Sequence, residues 1–397
     1  MASTDLASRA RDLARLHDAV LSGSASPAQV RPVVARSWTR MLDLGLDPQA
    51  RALSDPLPPV ELERRRRESR LALVIDEIRE LLLSAADASN YLVVVADADG
   101  VVLWRSGSPR VRRQADGLGF ADGALWTEEA VGTNAIGTAL TEGAPVQLFA
   151  AEHYEYAQLP WYCTASPIHD PVDGALLGVV DVSGPALTLH PAIQALVTAS
   201  VRLAEARLRH HHDVGLERLR VSAGPLLTGG GGPLLVVDDH GWVAATRGIV
   251  ATERVEAPRA DRPLAVPGLG LCRPERLRGG WLIRPSSSVS GRPALSAVLD
   301  LTTRPATLEV VDDDAGWRTT LSPRHASLVR LIAAAGPTGA SVADLSRAIY
   351  GDPDHAVSIR AEVSRLRRLL GALLATAPYR LADGVTLHVV DDAHPGP

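Results

Sequence analysis

The chain has 397 residues, 46% of them hydrophobic, and a formal net charge of −5. That length holds about two to four domains with cores of their own, and the composition excludes a disordered or globally basic chain. Nucleic-acid binding would therefore have to come from a local patch. Two cysteines, Cys163 and Cys272, exclude a disulfide framework or a four-thiolate metal site and point to a reducing compartment. All 41 cationic side chains other than histidine are arginine, so a Walker A lysine, a kinase strand lysine and a Schiff-base lysine are excluded. No apolar run approaches a bilayer span, and Met1-Ala-Ser-Thr-Asp5 lacks the basic and apolar regions of a signal peptide. The expected location is the cytoplasm, with no membrane, metal or cofactor.

Residues 1–58 read as a helical lead-in of short helices and connectors, with Trp38 packing on the domain that follows. Residues 59–84 are predicted as one long helix. Its Arg64 to Arg67 form a solvated face, and Leu71, Val74, Ile78 and Leu81 form a seam at alternating three- and four-residue steps. From Leu92 the period drops to two, and 92–96 with 101–104 around Asp97-Ala-Asp-Gly100 reads as a hairpin. Trp126 to Leu140 is predicted as a weakly amphipathic helix capped by Thr127, with Val131, Ala135, Ala139 and Leu140 on one face. Gly132 and Gly137 each cost that helix about 1 kcal/mol against alanine, which points to close backbone approach. Strands are expected at 145–149, 164–169 and 176–182. A helix over 191–219 then repeats the seam with Ile193, Val197, Val201, Ala204 and Leu208. The two seams fit either a bundle with a second subunit, hence a homodimer, or burial within one chain.

Thr228-Gly-Gly-Gly-Gly-Pro233 marks a linker, placed at 221–231. Residues 232–304 read as a small β-rich module, possibly PAS-like in kind, because Leu234 to Val243 repeats the earlier strand–turn–strand pattern. Residues 305–397 read as a winged helix-turn-helix. A hairpin at 306–311 and 317–321 precedes a helix capped by Ser322-Pro323. Ser341-Val-Ala-Asp344 starts a second helix that stops at Gly351, and Ser358 is expected to cap a third over 359–374. A last hairpin joins 378–381 to 385–390. On the third helix Ile359, Val363, Leu366, Leu370 and Leu373 form the apolar stripe. Arg360, Ser364, Arg367 and Arg368 lie on the open side with Arg365 nearby, a pattern suited to the DNA major groove. Arg380 is placed to touch backbone phosphate.

Several of these motifs carry a resemblance. The Trp126–Leu140 segment, Pro145-Val146, Glu152-His153-Tyr154, Trp161 to Pro171 and Gly178-Val-Val-Asp-Val-Ser-Gly184 resemble the GAF sensor of bacterial enhancer-binding activators. The regulators of acetoin catabolism and of the dihydroxyacetone operon are examples, and the likeness spans about residues 30–210. It implies a mainly antiparallel sheet with helices on its faces. The absent lysine departs from that family, since its ATPase module needs one. Residues 318–390 resemble the DNA-binding domain of response regulators through Leu321-Ser-Pro-Arg324, Ile349-Tyr-Gly351, Val363-Ser-Arg-Leu-Arg367 and Tyr379-Arg-Leu381. The whole is thus expected to be an α+β multidomain chain: a GAF-like sensor with flanking helices, a small β-rich module and a winged helix-turn-helix.

If the sensor binds a small molecule, Trp126, Thr133, Asn134, His153, Tyr154, Trp161 and Cys163 are the candidate contacts, mixing aromatic walls with a few polar groups. The DNA-contact candidates are Ser358, Arg360, Ser364, Arg365, Arg367, Arg368 and Arg380. The resulting expectation is a regulator that reads a small-molecule ligand and binds double-stranded promoter DNA as a homodimer. Two other readings stay open: a thiol enzyme using Cys163, and a sensory scaffold that meets protein instead of DNA.

Overall fold

Alternating β-branched residues build the first sheet of the computed structural model. It describes residues 3–49, 55–86, 90–229, 232–249, 253–260, 262–266, 269–285, 295–311, 316–370, 373–376, 378–382 and 385–391, in two units, Met1–His212 and Asp213–Pro397. In the first unit, β1 (Leu92–Asp97), β2 (Val102–Gly107), β3 (Val146–Phe149), β4 (Trp161–His169) and β5 (Leu176–Pro185) pair antiparallel in the order β2-β1-β5-β4-β3. Period two sorts their side chains. Val93, Val95, Val180 and Val182 enter one apolar cluster; Leu92, Val94, Ala96 and Val179 enter the other.

The expected lead-in is part of this unit and not a separate domain. Helix α1 (Ser3–Leu21) gives Leu6 to one cluster and Val20 to the other, while α2 (Pro32–Leu44) buries Val34, Trp38 and Met41. The helix expected over 59–84 is broken. It becomes α3 (Pro59–Glu68), a 3-10 turn at Arg70–Leu73 and α4 (Ile75–Ala86). Ser69 is the cause: it adopts extended backbone, and its side chain accepts the Leu71 N–H, opening a new turn. The break shifts the seam so that Leu82, not Leu81, is fully buried. Nor are Arg65 and Arg66 simply solvated. Arg65 pairs with Asp97 and Asp99 at 2.8 Å each, and Arg66 donates to the Leu103 carbonyl at 2.6 Å and to Asp122 at 3.1 Å. They fasten α3 to the β1–β2 hairpin. Helix α5 spans Pro109–Asp116. Helix α8 (Ile193–Ser222) packs Ile193, Val197, Val201, Ala204 and Leu208 into the same cluster as Leu71, Val74, Ile78 and Leu82. Both seams are therefore used inside one chain.

In the second unit the expected linker is partly helical, as α9 (Gly224–Thr228), and Gly230 and Gly231 lie outside the described residues. Strands β6 (Leu234–Val237), β7 (Val243–Arg247), β8 (Leu264–Val266), β9 (Gly270–Leu277) and β10 (Gly280–Pro285) form an antiparallel sheet in the order β7-β6-β10-β9-β8. Residues 295–300, which fall inside the expected bounds of that module, belong elsewhere. As β11 (Leu295–Asp300) they pair with β12 (Ala306–Val311), which pairs with β13 (Gly316–Leu321). The turn expected between these last two falls at 312–315, outside the described residues. Helices α10 (Pro323–Ala334), α11 (Val342–Tyr350) and α12 (Ala356–Leu370) follow. Ser322 caps α10, and Ser341 with Asp344 forms the capping box of α11.

The closing hairpin is not formed as expected. Strand β15 (Tyr379–Leu381) pairs with β14 (Leu374–Thr376), while β16 (Val385–Val390) runs parallel to β11. Pairing beside β11 places Val385, Leu387 and Val389 against the helix cluster, which a local hairpin would not. Helix α12 also begins before Ser358, which lies inside it. Ser346 Oγ donates to the Asp352 carbonyl at 2.8 Å and accepts the His355 N–H at 3.1 Å, setting the turn ahead of Ala356. No helix of the described residues is long and apolar enough to cross a membrane.

Candidate functional site

The glycine-bearing segment is two short helices, α6 (Glu128–Val131) and α7 (Ala135–Glu142), and not one. Gly132 separates them at φ +69°, and a Cβ there would stand 2.9 Å from Tyr154 Cβ. A Cβ on Gly137 would meet the Glu128 nitrogen at 2.5 Å. The close approach legible in the sequence is thus to the protein itself. Thr127 precedes α6 but makes no side-chain cap. Asn134 caps α7: its Oδ1 accepts the Gly137 N–H at 2.9 Å, and its Nδ2 donates to the Gly132 carbonyl at 2.9 Å.

Two buried glutamates dock the N-terminal helices here. Glu128 is 1% exposed and takes Arg40 through both oxygens at 2.7 and 2.9 Å, with Thr138 Oγ1 at 2.7 Å and Ser37 Oγ also donating to it. Ser37 Oγ further meets Thr133 Oγ1 at 2.7 Å. Glu152 takes Arg31 at 2.7 and 2.8 Å and the Phe149 N–H at 2.8 Å, while its carbonyl accepts Trp38 Nε1 at 3.1 Å. Sequence reasoning did not single out Glu128 as an anchor. Its partners on α2, Ser37 and Arg40, lie about ninety positions away, and nothing local signals them.

Of the candidate ligand contacts, Trp126, Tyr154 and Trp161 come together in one buried cluster, with Cys163 packed against it. Trp126 lies on Phe120 with ring centroids 3.9 Å apart. Tyr154 Oη donates to the Leu46 carbonyl at 3.0 Å, so its polar end is engaged. Thr133 and Asn134 are likewise held by protein groups, as described above. His153 is fully buried; its Nδ1 lies 2.9 Å from the Ala150 carbonyl, and its Nε2 has no protein partner. Burial pushes its pKa down to about 4, so the ring is neutral near pH 7. Cys163 is the reverse case. Burial and then the Asp181 charge push the thiol well above its usual range, which disfavours the nucleophilic thiolate. Asp181 and Ser183, neighbours of Cys163 on β5, were not among the sequence candidates. Burial raises Asp181 to about 7.

On α12, Ile359, Val363, Leu366 and Leu370 are buried, whereas Ser358, Arg360, Ser364 and Arg365 are exposed. Arg367 is partly buried, with no protein partner for its Nε, and the Arg368 side chain lies outside what is described. Arg360, Ser364 and Arg367 line a groove of about 470 Å³ with Thr376, Tyr379 and the acidic Glu256. Arg365 stands apart, 3.6 Å from Glu362. Arg380 donates to the Leu381 carbonyl at 3.1 Å, back into its own strand.

Comparison with known proteins finds transcription regulators among those similar to this chain. The family described as "MimR, N-terminal domain" matches residues 6–204, half of the chain. An uncharacterized 47.3 kDa protein in the thcA 5' region of Rhodococcus erythropolis is 31% identical over 98% of this chain and 73% of that protein. The acetoin dehydrogenase operon transcriptional activator AcoR of Bacillus subtilis is 38% identical over 48% of this chain. The propane 2-monooxygenase operon transcriptional activator MimR of Mycolicibacterium goodii is 34% identical over 50%. The chain covers only 31% and 33% of those two activators. Among solved structures, the E. coli DhaR(N)–DhaL complex aligns with a TM-score of 0.46 at 20% identity, over 64% of this chain and 100% of that one. By the match over residues 6–204, half of its length, this chain belongs to the MimR N-terminal domain family.

Proposed function

We propose that this protein is a cytoplasmic transcription regulator in which the GAF-like unit 1–212 senses a small molecule and the C-terminal helices, as a winged helix, bind promoter DNA. The observation that carries the DNA reading is the division of α12. Its aliphatic residues anchor it while Arg360, Ser364 and Arg365 stay open to solvent. Exposed guanidinium groups on a helix that follows a fastened helix–turn suit phosphate contact and bidentate bonding to guanine. The named activators among the relatives support the same assignment. A homodimer would give such a domain two half-sites, although the helix seams offered for it are buried within the chain. The raised thiol pKa of Cys163 weighs against the thiol-enzyme alternative.

The test is capture of sheared genomic DNA by the full chain, followed by salt titration on a recovered fragment. Affinity should fall linearly on a log–log salt plot, and Arg360→Ala with Arg367→Ala should flatten the slope by about one unit each. A double variant indistinguishable from the parent would turn the assignment toward a protein-binding scaffold.

A further inference from the structure

A helix about 10–12 Å across fills a DNA major groove about 12 Å wide, so a ridge of phosphates runs along each of its sides. On α12 the groove shared with Thr376 and Tyr379 takes Arg360 and Arg367 on one flank. Arg365 comes about 140° further round the axis, on the other flank. Between the two, Val357 is 79% exposed and Ser364 is exposed as well. A valine left so open adds little to packing and suits contact with a thymine methyl group.

The second flank has a cleft of its own. Ser322, Arg324, His325, Ser327, Glu362 and Arg365 line about 700 Å³ between the start of α10 and α12. The carboxylate in this lining is already engaged: Glu362 lies 3.1 Å from His325 Nε2 and 3.6 Å from Arg365. Arg324 is different. It is exposed, its guanidinium lies 5.2 Å over the Tyr350 ring, and it meets no carboxylate among the described residues. Stacking on a ring fixes the plane of a guanidinium and leaves its N–H edge unused. Ser322 adds a second donor, since its Oγ accepts the His325 N–H at 3.2 Å and keeps its own proton to give. A cation in a fixed plane beside a hydroxyl donor matches a phosphate, which takes an arginine through two oxygens.

Resting on the reading of α12 as a DNA-contacting helix, we propose that this cleft holds the second phosphate ridge of the major groove, with Arg324 its principal anchor. Arg324 lies on α10, outside the helix that faces the bases, so its contact is to backbone alone and reads no sequence. Its loss therefore weakens all duplexes alike, whereas loss of a base contact weakens one site selectively.

The test uses the full chain with a captured genomic fragment and an unrelated duplex of equal length, each titrated with salt. Arg324→Ala should flatten the log–log salt slope by about one unit and weaken both duplexes by the same factor. Arg324→Lys keeps the charge but not the flat stack on Tyr350, so it should hold the slope near the parent's. A Lys variant as flat as the Ala one would mark Arg324 as structural and overturn the cleft. Ethylation of single phosphates should block binding along both edges of one major groove. Arg324→Ala should erase that interference along one edge only, and Arg360→Ala with Arg367→Ala along the other. Slopes flattened by that pair but not by Arg324→Ala would overturn the cleft and leave the DNA reading standing. Slopes unmoved by any of these variants, or no capture of DNA at all, would take both down.

Discussion

The two units use charge in opposite ways. In Met1–His212 the strong pairs are long-range and set a buried carboxylate against a partly exposed arginine: Arg40 reaches Glu128 and Arg31 reaches Glu152, each carboxylate at most 2% exposed. In Asp213–Pro397 several pairs are local and wet. Arg365 meets Glu362 and Arg347 meets Asp344, three residues apart and with the arginines more than half exposed. The first kind of pair couples a helix to a distant loop and fails badly when one partner is lost. The second adds little stability and leaves its guanidinium free for other partners.

The largest expected effect follows from this contrast. Glu128→Ala takes the bidentate partner of Arg40, leaving it only Glu142 at 3.2 Å, and removes the acceptor of Ser37 and Thr138; it should destabilise the first unit by about 3 kcal/mol, read as a drop in urea midpoint. A loss under about 1 kcal/mol would show that the buried pair is not what docks α2. Next comes acid response. Asp181 is raised to about 7, so the folded state holds an extra proton there between pH 4 and 7 and gains stability on acidification. His153 is lowered to about 4, so over nearly the same window the folded state lacks a proton and loses stability as pH falls. The two oppose each other. Asp181→Asn removes one side, and the variant should lose stability from pH 7 to pH 4 more steeply than the parent; superimposable profiles would contradict the assigned shifts.

A smaller effect concerns the groove on α12. Glu256 lines it with Arg360 and Arg367, so Glu256→Ala should tighten DNA capture a few-fold, roughly what removing one partly screened repulsion from phosphate brings. Unchanged or weaker capture would mean that DNA does not use this groove. Smallest of all, Arg365→Ala should leave stability within about 0.5 kcal/mol, because its pair is exposed. A cost comparable to that of Glu128→Ala would erase the distinction between the units.

Much of this architecture was legible in the sequence. Period-two runs marked β1, β2, β4 and β5, and the seams of α4 and α8 named most of the residues that pack together, because side-chain periodicity survives in any context that buries one face. Serine caps located the starts of α10 and α11, since a cap bonds within three residues of itself. At the candidate site Trp126, Tyr154 and Trp161 lie in one buried cluster. Thr133 and Asn134 proved to be a docking contact and a cap.

What the chain alone determined was therefore everything set by neighbours a few positions apart: the strands, the capped helices, the apolar stripes and the arginine-bearing face of α12. Tertiary structure decided the rest. It assigned β11 and β16 to one sheet, made Glu128 and Glu152 anchors, and buried Asp181 without a cation. Those outcomes depend on which distant groups meet out of reach of water, where an acid becomes an anchor if an arginine arrives and is pushed toward its protonated form if none does.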